Sequence, residues 1–343
     1  MKSIDTLKKG KGVKHIPISY IIAFHSILIS ITIFLYWFYT SSTKINAQTG
    51  LQVDEISLPM RQIRNSDYNF IKPLRLTDIP KESSYFQSLK SDINMLIFEK
   101  QKSGEVNKVS VYFRIMNDGS WFCINNENHF RAGSLLKVPI MIYYLKQAES
   151  HPSILTKKMR YSLSDRVVPD MTFKEESIKP GVDYTIKELI SSMIMFSDNY
   201  ATSLLNRDMN TDEFFKVFTD LGIVKPQLSD INYSISATDY SKFFRVLYSA
   251  TYLNAESSEF ALTVLSNSSF KEGILKTLPE NLVVAHKFGE VSDITNSELS
   301  ECAIVYLGDH PYLLSVMISG NDLHREAIVM SEISALVYKN LKE

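Results

Sequence analysis

Phe130-Arg131-Ala132-Gly133-Ser134-Leu135-Leu136-Lys137-Val138-Pro139 is the stretch on which the reading of the fold turns. It follows two strand-like runs and opens a helix, Ile140-Met141-Ile142-Tyr143-Tyr144-Leu145-Lys146. Ser134 and Lys137 are three residues apart, which on a helix puts both side chains on one face. A serine hydroxyl needs a base within hydrogen-bond reach to become a nucleophile. A lysine shielded from water loses much of its preference for the charged form and can be that base. The spacing alone decides nothing, because Ser41…Lys44 and Ser268…Lys271 repeat it. An ordinary copy is a capping serine followed by a surface lysine.

Working outward, Ser84 to Lys102 reads as an amphipathic helix with Phe86, Leu89, Ile93, Leu96 and Ile97 on one stripe. Strands follow over Lys108–Met116 and Ser120–Ile124, joined by the hairpin signal Asn117-Asp118-Gly119. Beyond Ser134 the chain is mostly helical. Thr185-Ile186-Lys187-Glu188 is a capping box opening Ile186–Phe196, and Asn210 or Thr211 caps a helix that Gly222 closes. Further helices are expected at Tyr240–Tyr248 and about Ser257–Leu265. The pattern then returns to strands at Leu282–Lys287, Glu301–Leu307 and Tyr312–Ile318, and Asp322–Leu341 closes the chain as a helix. This order predicts an α+β fold. One five-stranded, mainly antiparallel sheet draws strands from both chain ends, terminal helices flank it, and a helical insert spans about 134–275.

The chain has 343 residues, 45% of them hydrophobic, enough for a large core. A net charge of −1, with no long basic run outside the N-terminus, gives no case for nucleic acid. Cys123 and Cys302 cannot form a disulfide framework and read as buried free thiols, though one bridge stays open. No Cys/His cluster has metal-ligand spacing, so neither metal nor cofactor is expected. From Ile16 to Thr43 there is no Asp, Glu, Lys or Arg, and Lys8, Lys9, Lys11 and Lys14 precede the run. That predicts a cytoplasmic segment at 1–15, a single transmembrane anchor at 16–40, a stalk at 41–82 and an extracytoplasmic domain at 83–343. The domain would lie in the periplasm or at the cell surface. A cleaved signal peptide is the competing reading. Its apolar core is usually shorter, and Ile45-Asn46-Ala47 fails the small-x-small pattern at its first position.

Two more motifs stand in order after Ser134. Ser197-Asp198-Asn199 follows a capped helix, and His286-Lys287-Phe288-Gly289 ends a strand before Glu290. Together with Ser134-Leu135-Leu136-Lys137 the set resembles the penicillin-recognising serine enzymes, and class A β-lactamases most closely, over about residues 84–342. The resemblance implies a β-lactamase/transpeptidase-like fold and a role for each residue. Ser134 attacks a carbonyl, Lys137 takes its proton and Ser197 relays that proton to the leaving nitrogen. Asn199 and Lys287 hold the substrate, and Gly289 lets it approach the strand. The backbone N–H groups of Ser134 and Glu290 form the oxyanion hole. Asp198 and His286 read as structural, and Tyr143 and Tyr144 as packing.

The sequence departs from the family pattern twice. Class A enzymes carry a deacylating glutamate between the second and third motifs. Here the segment from Leu221 to Tyr248 has none, and Asp230 is the one acid of the loop that could stand in. Phe288 occupies a position where the family usually has Thr or Ser, so its ring should point elsewhere or wall the site. The expected function is a membrane-anchored serine hydrolase that is acylated at Ser134 by β-lactams and hydrolyses them, if slowly. The alternatives are a penicillin-binding D,D-peptidase acting on D-Ala-D-Ala-type peptides, or a non-catalytic cell-wall-binding relative.

Overall fold

The computed structural model describes residues 61–64, 73–162, 171–173, 177–227 and 232–342. The chain divides into two units, Met1–Ser57 and Leu58–Glu343, and every described residue lies in the second. The first half of the elements runs β1 (Arg61–Arg64), β2 (Leu74–Asp78), α1 (Gln87–Lys102), β3 (Lys108–Ile115), β4 (Trp121–Ile124), β5 (Phe130–Arg131), α2 (Lys137–Ser150), β6 (Lys158–Arg160) and β7 (Asp183–Thr185). Then come α3 (Ile186–Met195), α4 (Asn199–Arg207), α5 (Thr211–Thr219), β8 (Ser234–Ile235), α6 (Ala237–Tyr248) and α7 (Ala255–Ser266). The chain closes with β9 (Val284–Ser292), β10 (Ser297–Val305), β11 (Tyr312–Gly320) and α8 (Leu323–Lys342).

Five strands form one antiparallel sheet in the order β4-β3-β11-β10-β9, as the element order led us to expect. The sheet is covered on both faces. Leu313 and Met317 of β11 pack with Met141, Leu189, Leu205, Phe218, Phe243 and Leu265 of the helical insert. Leu314, Val316 and Ile318 face the other way, onto Ile93 of α1 and Ile333 of α8. A strand buried on both faces reads as a continuous apolar run rather than an alternating one. The stripe predicted for the first helix is its buried face: Leu89, Ile93 and Ile97 are all covered.

Two strand boundaries and one helix differ from expectation. β9 does not stop near Lys287 but runs on to Ser292, so Glu290 lies within the strand and pairs with Leu299. β10 correspondingly starts at Ser297, well before Glu301. The Asp293 side chain closes the turn between them by accepting from the N–H groups of Thr295 and Asn296. Polar residues at these strand ends hide the apolar pattern. The third difference is α4, which sequence reading left as an uninterpreted stretch after Asn199.

The segment expected as a stalk at 41–82 contributes structure where it is described. β1 and β2 pair antiparallel, Leu76 is buried, and the Trp121 indole N–H donates to Ile79 O at 2.6 Å. Among the described residues no helix is long and apolar enough to cross a membrane, and the span expected at 16–40 lies outside them. Cys123 and Cys302 are both free, but only Cys302 is buried as expected and Cys123 is half-buried. Burial and a hydrogen bond to Glu82 push the Cys123 thiol up to about 12, and burial also raises that of Cys302.

Candidate active site

Ser134 lies on a 3-10 turn, Gly133–Leu136, rather than on the α-helix itself, which begins at Lys137. In a 3-10 turn side chains at i and i+3 eclipse one another, and here that sets Lys137 Nζ 2.8 Å from Ser134 Oγ. The turn is held from two sides. Tyr240 OH of α6 donates to Leu135 O at 3.0 Å. β9 presses against it through Gly289, where a Cβ would fall 2.9 Å from Leu135 N and 3.0 Å from Ala132 O. Any side chain at 289 would push the strand off the Ser134 turn.

Ser197 and Asp198 link α3 to α4, which Asn199 opens. The Asp198 side chain caps α4, accepting from the N–H groups of Tyr200 and Ala201. Its other oxygen accepts from Ile178 N–H and Ser192 Oγ. Asp198 thus anchors the corner. Ser197 carries φ +51°, a strained left-handed value for a non-glycine residue. In that conformation its hydroxyl stands between the two lysines: Lys137 Nζ is 2.9 Å away and Lys287 Nζ 3.0 Å. Lys137 donates further to Ser197 O at 2.5 Å and Asn199 Oδ1 at 2.7 Å. Burial drives the Lys137 amine down to about 7, against the opposing pull of the Asp198 and Glu290 carboxylates. An amine poised there can accept a proton from Ser134 at neutral pH.

Lys287 is fully buried and also donates to Phe288 O at 2.7 Å. The Phe288 ring offers no hydroxyl to the cleft and forms an apolar wall beside the lysine, with Lys287 Nζ over the ring 4.3 Å from its centroid. It stacks on Phe270 with ring centroids 4.0 Å apart and meets Phe173 edge-on. Phe288→Thr should therefore cost about 3–5 kcal/mol of stability, the usual range for hollowing out an aromatic core site. Chemical denaturation reads this directly, and a loss below about 1 kcal/mol would contradict the packing role.

Ser134, Gly133, Asn199 and Glu290 line a cavity of about 330 Å³ with Met171, Thr172, Val291, Ser292 and Leu323. Sequence reading used Glu290 only for its backbone N–H and missed its carboxyl group. That group accepts from Thr172 N–H at 2.7 Å and Phe173 N–H at 3.3 Å. Burial raises its pKa, while those two bonds and the two lysines pull it back. Asn199 also reaches this wall, donating from Nδ2 to Met171 Sδ at 3.2 Å. No residue type in Met171–Phe173 announces a contact made by backbone N–H groups. A polar pair, His286 Nδ1 and Glu301 Oε1 at 2.7 Å, lies fully buried behind the third motif. The structure thus brings together Ser134, Lys137, Ser197, Asn199, Lys287, Gly289 and Glu290. Asp230 lies outside the described residues. Among the described residues no group of three or more His, Cys, Asp or Glu is placed to hold a metal ion.

Comparison with known proteins gives two findings. A sequence model of the beta-lactamase enzyme family matches residues 88–341. A search of curated protein sequences returned no match. Among solved structures, PBP-A is similar with TM-score 0.65 and 19% identity over 77% of this chain and 99% of its own. A beta-lactamase from Chitinophaga pinensis matches with TM-score 0.65 and 19% identity over 74% of this chain and 99% of its own. For the TLA-1 extended-spectrum beta-lactamase the figures are 0.64 and 19%, over 75% and 99%. At such identities the structural likeness speaks for the fold.

Proposed function

Because this chain belongs to the beta-lactamase enzyme family and is a serine hydrolase, we propose that β-lactams acylate it at Ser134 and that it hydrolyses them slowly. The observation that carries this reading is Lys137 Nζ, 2.8 Å from Ser134 Oγ and 2.9 Å from Ser197 Oγ, with its amine near neutrality. Neutral Lys137 takes the Ser134 proton as Oγ adds to the lactam carbonyl. The N–H groups of Ser134 and Glu290 receive the developing oxyanion. As the C–N bond breaks, the Ser197 hydroxyl gives its proton to the departing nitrogen and recovers one from Lys137. Asn199 holds the substrate amide and Lys287 its carboxylate.

Hydrolysis of the resulting ester needs a base for water. Among the described residues Glu290 supplies the one carboxyl group that lines the cavity, and both its oxygens already accept from Thr172 and Phe173. This favours a second reading, a D,D-peptidase whose natural substrate is a D-Ala-D-Ala-type peptide. A chromogenic β-lactam and such a peptide, given in parallel, separate the two. Steady turnover of the lactam, lost in Ser134→Ala, supports the first. Release of terminal alanine with no lactam turnover replaces it by the second, and no reaction with either sinks both.

The run from Ile16 to Thr43, free of Asp, Glu, Lys and Arg and preceded by four lysines, supports a single-pass anchor at 16–40, with residues 1–15 cytoplasmic and the catalytic domain, which takes in β1 and β2 of the expected stalk, outside. Protease added to cells or spheroplasts whose plasma membrane is intact should then digest the domain. Digestion only after lysis would contradict that topology.

A further inference from the structure

A second cavity, of about 260 Å³, opens where β2, the hairpin after β3 and the end of α6 meet. It shares no lining residue with the cavity at Ser134. Arg75, Arg114 and Arg245 all line it. Arg114 is 8% exposed and Arg245 4%, so their charges are largely withdrawn from water and need compensation within the protein.

The acids present fall short of the arginines. Asp78 Oδ1 accepts from Arg245 Nη2 at 2.6 Å and lies 3.8 Å from Arg114 Nη1, one carboxylate shared between two guanidiniums. Asp118 also lines the cavity, but its side chain accepts from Ser120 N–H in the hairpin turn. Arg75 donates from Nη1 to Thr251 O at 2.6 Å and lies over the Tyr252 ring, 4.9 Å from its centroid. The acid behind that ring, Asp220, is engaged by Lys216 at 2.7 Å and by Tyr252 OH at 3.1 Å. Arg75 Nε and Arg114 Nη1 are buried and make no hydrogen bond. Such orphaned N–H groups on cations are costly unless an acceptor meets them. Nor is the Arg114 fork free to swing away, because Gly119 sits against it: a Cβ there would fall 2.7 Å from Arg114 Nη2.

Guanidinium forks with unused donors around a small cavity suit a tetrahedral oxyanion, which accepts several N–H bonds at once. We propose that this cavity binds a phosphate group, free or esterified, at a site separate from the acyl-transfer centre. The ligand's oxygens would accept from the guanidinium edges of Arg75, Arg114 and Arg245 that line the cavity and balance the charge that Asp78 leaves over.

Isothermal titration of the intact protein with inorganic phosphate and with glycerol 3-phosphate, at ionic strength fixed by chloride, tests this. Saturable binding of at least one is expected, weakened about tenfold or more in Arg75→Gln. Arg75 is the most exposed of the three arginines, so this variant has the best chance of folding normally. Asp78→Asn, which removes the competing carboxylate, should tighten binding and serves if Arg75→Gln does not fold. Binding of both probes identifies a terminal phosphate as the ligand, and binding of inorganic phosphate alone identifies the free anion. Heats no larger than those of chloride would overturn the proposal. So would phosphate binding that neither variant changes.

Discussion

Alanine in place of Lys137 is expected to slow acylation of Ser134 by about 10²–10⁴-fold, the usual contribution of a positioned base. The expectation follows from geometry and from charge. Lys137 Nζ is in hydrogen-bond contact with both hydroxyls that must exchange protons, and burial has brought its amine to about 7. The working form is the neutral one. Below pH 7 Lys137 is mostly protonated, so the acylation rate should climb about tenfold per pH unit and level off above 7. Lys137→Arg should be as slow as the alanine variant, since a guanidinium stays charged throughout. Stopped-flow acylation by a chromogenic β-lactam measures all of this. A rate independent of pH between 5 and 8, or an active arginine variant, would remove Lys137 from the role of base.

A large stability effect is also expected at His286. Its Nδ1 meets Glu301 Oε1 at 2.7 Å with both side chains fully buried, while Glu301 Oε2 accepts from Ile274 N–H at 2.7 Å. His286 pairs across the strands with Ala303, and Glu301 with Phe288, so the contact is diagonal on the face opposite Lys287. Breaking a buried polar pair from one side typically costs about 3–5 kcal/mol. His286→Ala should therefore lower the melting temperature by about 10 °C in a protein of this size. The exposed His310 is the control, and its replacement by alanine should shift stability by less than about 0.5 kcal/mol. Equal effects at the two histidines would contradict the structural role. A tilted β9 would also misplace Lys287, so acylation should slow in the His286 variant even where it remains folded.

Much of the site was legible because its signals are local. Ser134 and Lys137 are three residues apart, a spacing that brings side chains together on a 3-10 turn as well as on an α-helix, so the difference between them did not matter. Asn117-Asp118-Gly119 and Thr185-Ile186-Lys187-Glu188 carry their own turn and cap chemistry, and the structure has the hairpin and the capping box. What escaped depends on distant partners. The left-handed backbone of Ser197, which aims its hydroxyl at two lysines, has no signature in a serine. The docking of Thr172 and Phe173 on Glu290 uses backbone N–H groups that every residue but proline has. The extension of β9 past Gly289 was hidden because Glu290 and Ser292 are polar, yet pairing with β10 keeps them in the strand. α4 could have been found: Asp198 is a cap, and Ala201, Leu204 and Leu205 have helical spacing.

The central claim is that Ser134 is well equipped to be acylated and poorly equipped to be released. Intact-protein mass spectrometry after brief exposure to benzylpenicillin, followed by peptide mapping over time, measures both halves at once. The account predicts one penicilloyl adduct per chain, on the peptide holding Ser134, persisting after excess drug is removed and missing from Ser134→Ala. An adduct on another residue, no adduct at all, or one lost as soon as excess drug is removed, would contradict it.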